Sequence, residues 1–166
     1  MKLRATLTAI FALVLLGAVA RADEPNISAL MAPAQRLVDA INHADKALPA
    51  HIFTKDALVL DDFAPYLWAG KTNGRSWYGE LVGTTPQTLS DFAAMHAQLS
   101  VDAPKFARVT GDRAYFVLPA TFDFTESGKR IHQTAQWVMT LRNVKGEWLI
   151  AGHAYAIASE TATPPN

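Results

Sequence analysis

Two adjacent carboxylates, Asp61 and Asp62, follow directly on the apolar run Ala57-Leu58-Val59-Leu60. Neighbours on a strand point to opposite faces, so only one of them can enter an interior. Parity with Ala57 and Val59 selects Asp61 if that set faces the core. Apolar surroundings disfavour a charged carboxylate and lift its pKa towards the range useful for proton transfer. The same pair also suits a hairpin turn, where Asp side chains bond to nearby backbone. Tyr66, Trp68 and Trp77 lie close in sequence. Aromatics with one polar handle can wall a pocket for a flat, apolar molecule, and they can equally anchor a core. His96 falls on the apolar spacing of Leu89, Phe92, Ala93 and Leu99. There it could act as a base, or sit as a hydrogen-bonded core residue.

Other chemistries find little support. The chain has five histidines, at 43, 51, 96, 132 and 153, and none shows HxH, HExxH or HxxxH spacing. A metal site needs three or four converging ligands, so neither metal nor cofactor is expected. With no cysteine, disulfides, thiol catalysis and lipid attachment through a Cys are excluded. No GxSxG, P-loop or GxGxxG occurs in a fitting context. The 15 basic and 15 acidic residues balance, which gives no electrostatic case for nucleic acid or an anionic membrane surface.

The elements that must position these residues follow an N-terminal leader. Met1-Lys2-Leu3-Arg4 is basic, residues 5–19 are uncharged and largely apolar, and Ala20-Arg21-Ala22 supplies an A-x-A cleavage pattern. Residues 1–22 read as a secretory signal peptide, which implies a periplasmic or secreted protein beginning at Asp23, or at Arg21 if cleavage follows Ala18-Val19-Ala20. No later apolar run is long enough to span a bilayer. The remaining 144 residues suit one domain over 23–158 with a loose, Pro-containing tail over 159–166.

Residues 23–32 read as a frayed leader to a first helix. Pro33 suits a first helical position, and Ala34, Leu37, Val38, Ile41, Ala44 and Leu48 give helical spacing up to Pro49. Ala57–Leu60 and Tyr66–Ala69 read as a hairpin with Pro65 in its turn. A helix carrying Trp77, Tyr78 and Leu81 follows, and Thr85-Pro86 starts another. The last third is strand, with long runs over 113–124, 130–142 and 148–157 separated by turn residues.

Alternation assigns faces to these strands. Phe116, Leu118, Ala120, Phe122 and Phe124 share one side of the first. Ala135, Trp137, Met139 and Leu141 share one side of the second, and Trp148, Ile150, Gly152 and Ala154 one side of the third. Together these make a concave apolar surface covered by the helices, so that Phe116, Phe122 and Trp137 join the aromatic wall. The opposite set, with Tyr115, Thr121, His132, Thr134, Gln136, Thr140, His153 and Tyr155, is amphipathic, as expected of a homodimer interface.

Helices, a short hairpin, a further helix and a long antiparallel sheet resemble the nuclear transport factor 2-like superfamily. That group includes SnoaL-like proteins, ketosteroid isomerase and scytalone dehydratase. The resemblance covers nearly all of residues 23–158. Asp56-Ala57-Leu58-Val59-Leu60-Asp61-Asp62-Phe63-Ala64-Pro65-Tyr66-Leu67-Trp68-Ala69-Gly70, with Trp77 behind it, is similar to the first hairpin and following helix of many members. Gly111-Asp112-Arg113-Ala114-Tyr115 and Gly146-Glu147-Trp148-Leu149-Ile150 resemble the later strand starts. The resemblance implies an α+β fold, a cone-shaped curved antiparallel sheet wrapped around N-terminal helices in a cystatin-like α+β barrel. It also implies that Asp61 takes the place of the proton-shuttling Asp of the ketosteroid isomerases. Two features depart from that pattern. Leu60 stands where those isomerases have an acid, and residues 34–39 hold no tyrosine to serve as an oxyanion donor.

The function expected from the sequence is binding of a small hydrophobic or aromatic molecule in an apolar pocket. The alternatives are a cofactor-free isomerase, dehydratase or hydrolase with Asp61 as base, and a protein-interaction module with a filled cavity.

Overall fold

The computed structural model describes residues 26–70 and 73–164. The expected signal peptide and the start of the frayed leader lie outside the described residues. Helix α1 (Ile27–Asn42) begins six residues before Pro33, contrary to expectation, because the Asn26 side chain accepts a hydrogen bond from the Ala29 N–H and caps it. Leu30 extends the buried stripe of Pro33, Ala34, Leu37, Val38 and Ile41 by one turn, so the proline sits inside the helix. The helix also stops earlier than Leu48. The Asn42 amide bonds to both the N–H and the C=O of Leu99, at 2.7 and 2.8 Å, and the Tyr78 hydroxyl bonds to the carbonyls of Ala40 and Asp45.

The hairpin is β1 (Phe53–Leu60) with β2 (Leu67–Trp68), and α2 (Gly74–Val82) and α3 (Pro86–Ala94) follow. Thr85 and Thr88 form a reciprocal capping box at the start of α3. After α3 the chain enters β3 (Gln98–Val101), which holds Leu99, an element that helical spacing had absorbed. The remaining strands are β4 (Phe106–Thr110), β5 (Arg113–Glu126), β6 (Lys129–Val144) and β7 (Glu147–Thr163).

The seven strands form one curved, unclosed sheet in the order β2-β1-β7-β6-β5-β3, with β4 also on β5. All pairs are antiparallel except β1 with β7. The fold class is therefore α+β, as expected, with an incomplete barrel. Residues 159–163 do not form a loose tail; they pair with β6 from Thr134 to Arg130.

The inward faces of β5 and β6 follow strict alternation: Phe116, Leu118, Trp137, Met139 and Leu141 are almost fully buried. Strand β7 does not. Its register with β6 shifts between Thr140 and Leu141, where Ala151 is the extra residue, so a bulge reverses the facing of the stretch that follows, up to a second shift at Ala158. Ile150 points inward, but so do His153 and Tyr155, whereas Gly152 and Ala154 lie on the outer face, opposite to their expected assignment.

Candidate functional site

A cavity of about 200 Å³ opens between the sheet and the helices. Asp61 enters it just past the end of β1, continuing the inward parity of the fully buried Ala57 and Val59; Asp62 lines it too, contrary to the expectation that only one of the pair could, because β1 ends at Leu60 and strand alternation stops there. Asp61 faces the cavity and also belongs to the hairpin turn. Its N–H donates to the Tyr66 carbonyl at 3.3 Å and closes the hairpin. Its carboxylate accepts two hydrogen bonds, Oδ1 from the Asp62 N–H at 2.9 Å and Oδ2 from the Trp77 indole Nε1–H at 2.6 Å.

Trp77 can make that bond because of how α2 is seated. Asn73 caps the helix at Arg75 N–H and donates its amide to the Lys55 carbonyl on β1. Gly74 lets the first turn lie against Phe53, since a Cβ at that position would stand 2.9 Å from the ring. The indole is thereby delivered to the end of the neighbouring strand.

Burial dominates the electrostatics. Desolvation pushes the Asp61 pKa up to about 7, the bonds from Asp62 N–H and Trp77 pull the other way, and the Asp62 charge adds to the rise. Tyr155 lines the same cavity, and its hydroxyl is buried with no hydrogen-bond partner. Burial and the charges of Asp61 and Asp62 push its pKa well up, so it stays a donor at neutral pH. Behind it, Trp137 Nε1–H donates to His153 Nδ1 at 3.0 Å. That bond leaves the proton of the neutral ring on Nε2. Burial holds the His153 pKa down at about 3, so the ring is an uncharged packing piece between Phe53, Trp77 and Trp137.

Of the residues expected at the site, Asp61, Trp77, Phe122 and Trp137 meet around the cavity, with Phe63 and Phe124 completing an aromatic wall. The others do not join them. Trp68 and Phe116 are fully buried core residues, Trp68 packing on Phe63. Tyr66 is 61% exposed in the hairpin turn, outside the cavity. His96 follows the end of α3 at a φ of 50° and faces solvent, because the helix stops before it could join the apolar stripe. Phe63 and Phe124 were not among the residues expected here, and neither were Gln133, Tyr155 and His153. Gln133 shares the inward parity of Ala135 and Trp137, so alternation could have found it. Tyr155 and His153 required the bulge, for which the mid-strand Gly152 is a faint signal. Among the described residues, no group of three His, Asp or Glu is placed to hold a metal ion.

No family model matches the sequence, and no curated protein does either. Solved structures do match the fold. A ketosteroid isomerase-like protein from Erwinia carotovora atroseptica superposes with a TM-score of 0.60 at 19% identity, covering 82% of this chain and 98% of that one. The hexachlorocyclohexane dehydrochlorinase LinA-type3 of Novosphingobium barchaimii gives a TM-score of 0.65 at 12% identity, over 81% and 88%. A nuclear transport factor 2-like superfamily protein from Salmonella enterica gives 0.58 at 15%, over 80% and 90%. The chain therefore has the ketosteroid isomerase-like, nuclear transport factor 2-like fold. That fold carries many unrelated activities, so the reaction has to be argued from the site.

Proposed function

We propose that this protein is a cofactor-free catalyst of proton transfer on a small hydrophobic molecule, with Asp61 as the base. The observation that carries this reading is the pairing, in one apolar cavity, of the Asp61 carboxylate with the unpartnered Tyr155 hydroxyl. Asp61 takes a proton from a carbon next to a carbonyl, and Tyr155 donates a hydrogen bond to the oxygen on which negative charge develops. The proton then returns to another carbon, which isomerises the substrate, or a group on the neighbouring carbon leaves as an anion, which completes an elimination. Two fold neighbours, a ketosteroid isomerase-like protein and a hexachlorocyclohexane dehydrochlorinase, bear names compatible with such chemistry.

Binding without turnover uses the same cavity and is the second reading. A second polar group beside the base is what favours catalysis over it. The test is deuterium exchange from solvent at the carbon α to the carbonyl in small cyclic ketones, followed by NMR. Exchange should be accelerated by the protein, rise with pH through about 7 as Asp61 ionises, and vanish in Asp61→Asn. No exchange with any bound ketone would leave binding as the function.

Export and dimerisation belong to the same reading. The basic start, apolar run and Ala20-Arg21-Ala22 support a periplasmic or secreted protein. The outer sheet face supports a homodimer. Leu67, Leu60, Ala154, Val138, Val117 and Phe106 lie in register across it as one apolar row from β2 to β4. Leu60, Leu67 and Phe106 are each more than 40% exposed, more apolar surface than a sheet face turned to water usually shows.

A further inference from the structure

We infer that the cavity selects an uncharged molecule of one or two rings, anchored through an acceptor oxygen on Tyr155, and rejects anions and four-ring molecules. This rests on the proposed site and adds the class of ligand that it takes.

Size sets the first limit. An engineered cavity of roughly 150 Å³ accepts a single benzene ring, and sites for drug-sized molecules start at roughly 300 Å³. At about 200 Å³ the cavity has room for a ring with a short substituent or a compact bicycle. Phe122 and Phe124 pack on each other at 5.0 Å from the β5 side, and Trp77 and Trp137 are themselves buried, so the wall cannot yield without repacking the core.

Charge sets the second. The lining holds two carboxylates, Asp61 and Asp62, and among the described residues includes no Lys, Arg or His. A ligand carboxylate would meet like charge in apolar surroundings with nothing to pair it. Polarity sets the third. Tyr155 brings an O–H donor that the folded chain leaves without an acceptor. A ketone, aldehyde or ether oxygen satisfies it, whereas a plain hydrocarbon does not.

Isothermal titration calorimetry on the purified protein, with four single-ring probes and one steroid, tests all three limits. Acetophenone should bind. Benzoate, of the same size, should bind at least about a hundredfold more weakly. Benzylamine should be weaker than acetophenone, and a four-ring steroid ketone should show no heat of binding. Tyr155→Phe should weaken acetophenone about tenfold and leave toluene unchanged. Benzoate or the steroid binding as tightly as acetophenone overturns the inference. So does benzylamine binding most tightly, which would make the aromatic wall and carboxylates a cation cage, or no binding of acetophenone at all. The catalytic reading fails separately: acetophenone that binds as expected but exchanges no methyl deuterium removes the catalysis and keeps the ligand class.

Discussion

Replacing Asp61 by Asn should make two stability curves cross as pH is varied. An unfolded Asp titrates near 3.9, and the folded carboxyl titrates near 7. The raised value means that the folded chain holds this proton where the unfolded chain has lost it. The contribution is fully present below about pH 4 and is lost as pH rises through 7. Between pH 5 and 8 the loss spans about two units below the folded pKa, or about 2.7 kcal/mol at 1.36 kcal/mol per unit. Asp61 retains some solvent contact, so roughly 1.5–2.5 kcal/mol is expected. Asn is not titratable and shows none of this slope. It also cannot satisfy both donors, because its NH₂ would face either the Asp62 N–H or the Trp77 Nε1–H that the two carboxylate oxygens now accept. That mismatch costs about 1–2 kcal/mol at every pH. Asp61→Asn should therefore be the less stable protein at pH 4.5 and the more stable one at pH 8. Urea unfolding at half-unit steps of pH measures both curves. Parallel curves, with Asn lower throughout, would refute the reasoning and leave Asp61 as a structural acceptor of the hairpin.

Tyr155→Phe removes a buried hydroxyl that lacks a partner, so it should leave stability unchanged or raise it by up to about 1 kcal/mol in a thermal melt, while lowering any proton-transfer rate by about 10²-fold. Gly83→Ala should destabilise by about 2 kcal/mol or more in urea unfolding, since φ there is 91° and the new Cβ would stand 2.3 Å from Thr88 Oγ1 in the capping box. Val138→Lys places a charge in the middle of the outer apolar row; light scattering should show a dimer converted to monomer with an unchanged far-UV spectrum, and a wild type that is monomeric at micromolar concentration counts against the dimer. N-terminal sequencing of exported material should begin at Asp23, and a chain that still starts at Met1 removes the compartment assignment.

Local chemistry was enough for the parts of this protein that repeat. Alternation along β5 and β6 placed Phe122 and Trp137 inward, because each residue's direction there depends only on its neighbour's. The Thr85-Pro86 start of α3 and the inward parity of Asp61 followed from the same short-range rules, and the element order was enough to indicate the fold. What the sequence left open depended on partners far along the chain. Pro33 reads as a helix start, yet the cap at Asn26 and the burial of Leu30 carry the helix past it. His96 reads as part of a stripe, but α3 ends before it and β3 begins because Leu99 is claimed by Asn42, 57 residues away. Tyr66 and Trp68 look alike as aromatics of one hairpin. Only the pairing of Val59 with Trp68 buries one of them, while the turn leaves the other in solvent. The site itself shows the division most sharply. One extra residue in β7, accommodated against β6 at Ala151, turns Tyr155 and His153 from the outer face to the inner one. A bulge is the choice of two strands together, and this one lies beside Gly152, where an added Cβ would stand 3.1 Å from the Leu58 carbonyl oxygen. The sequence alone therefore determined where a base could stand, and the tertiary structure decided which donor stands beside it.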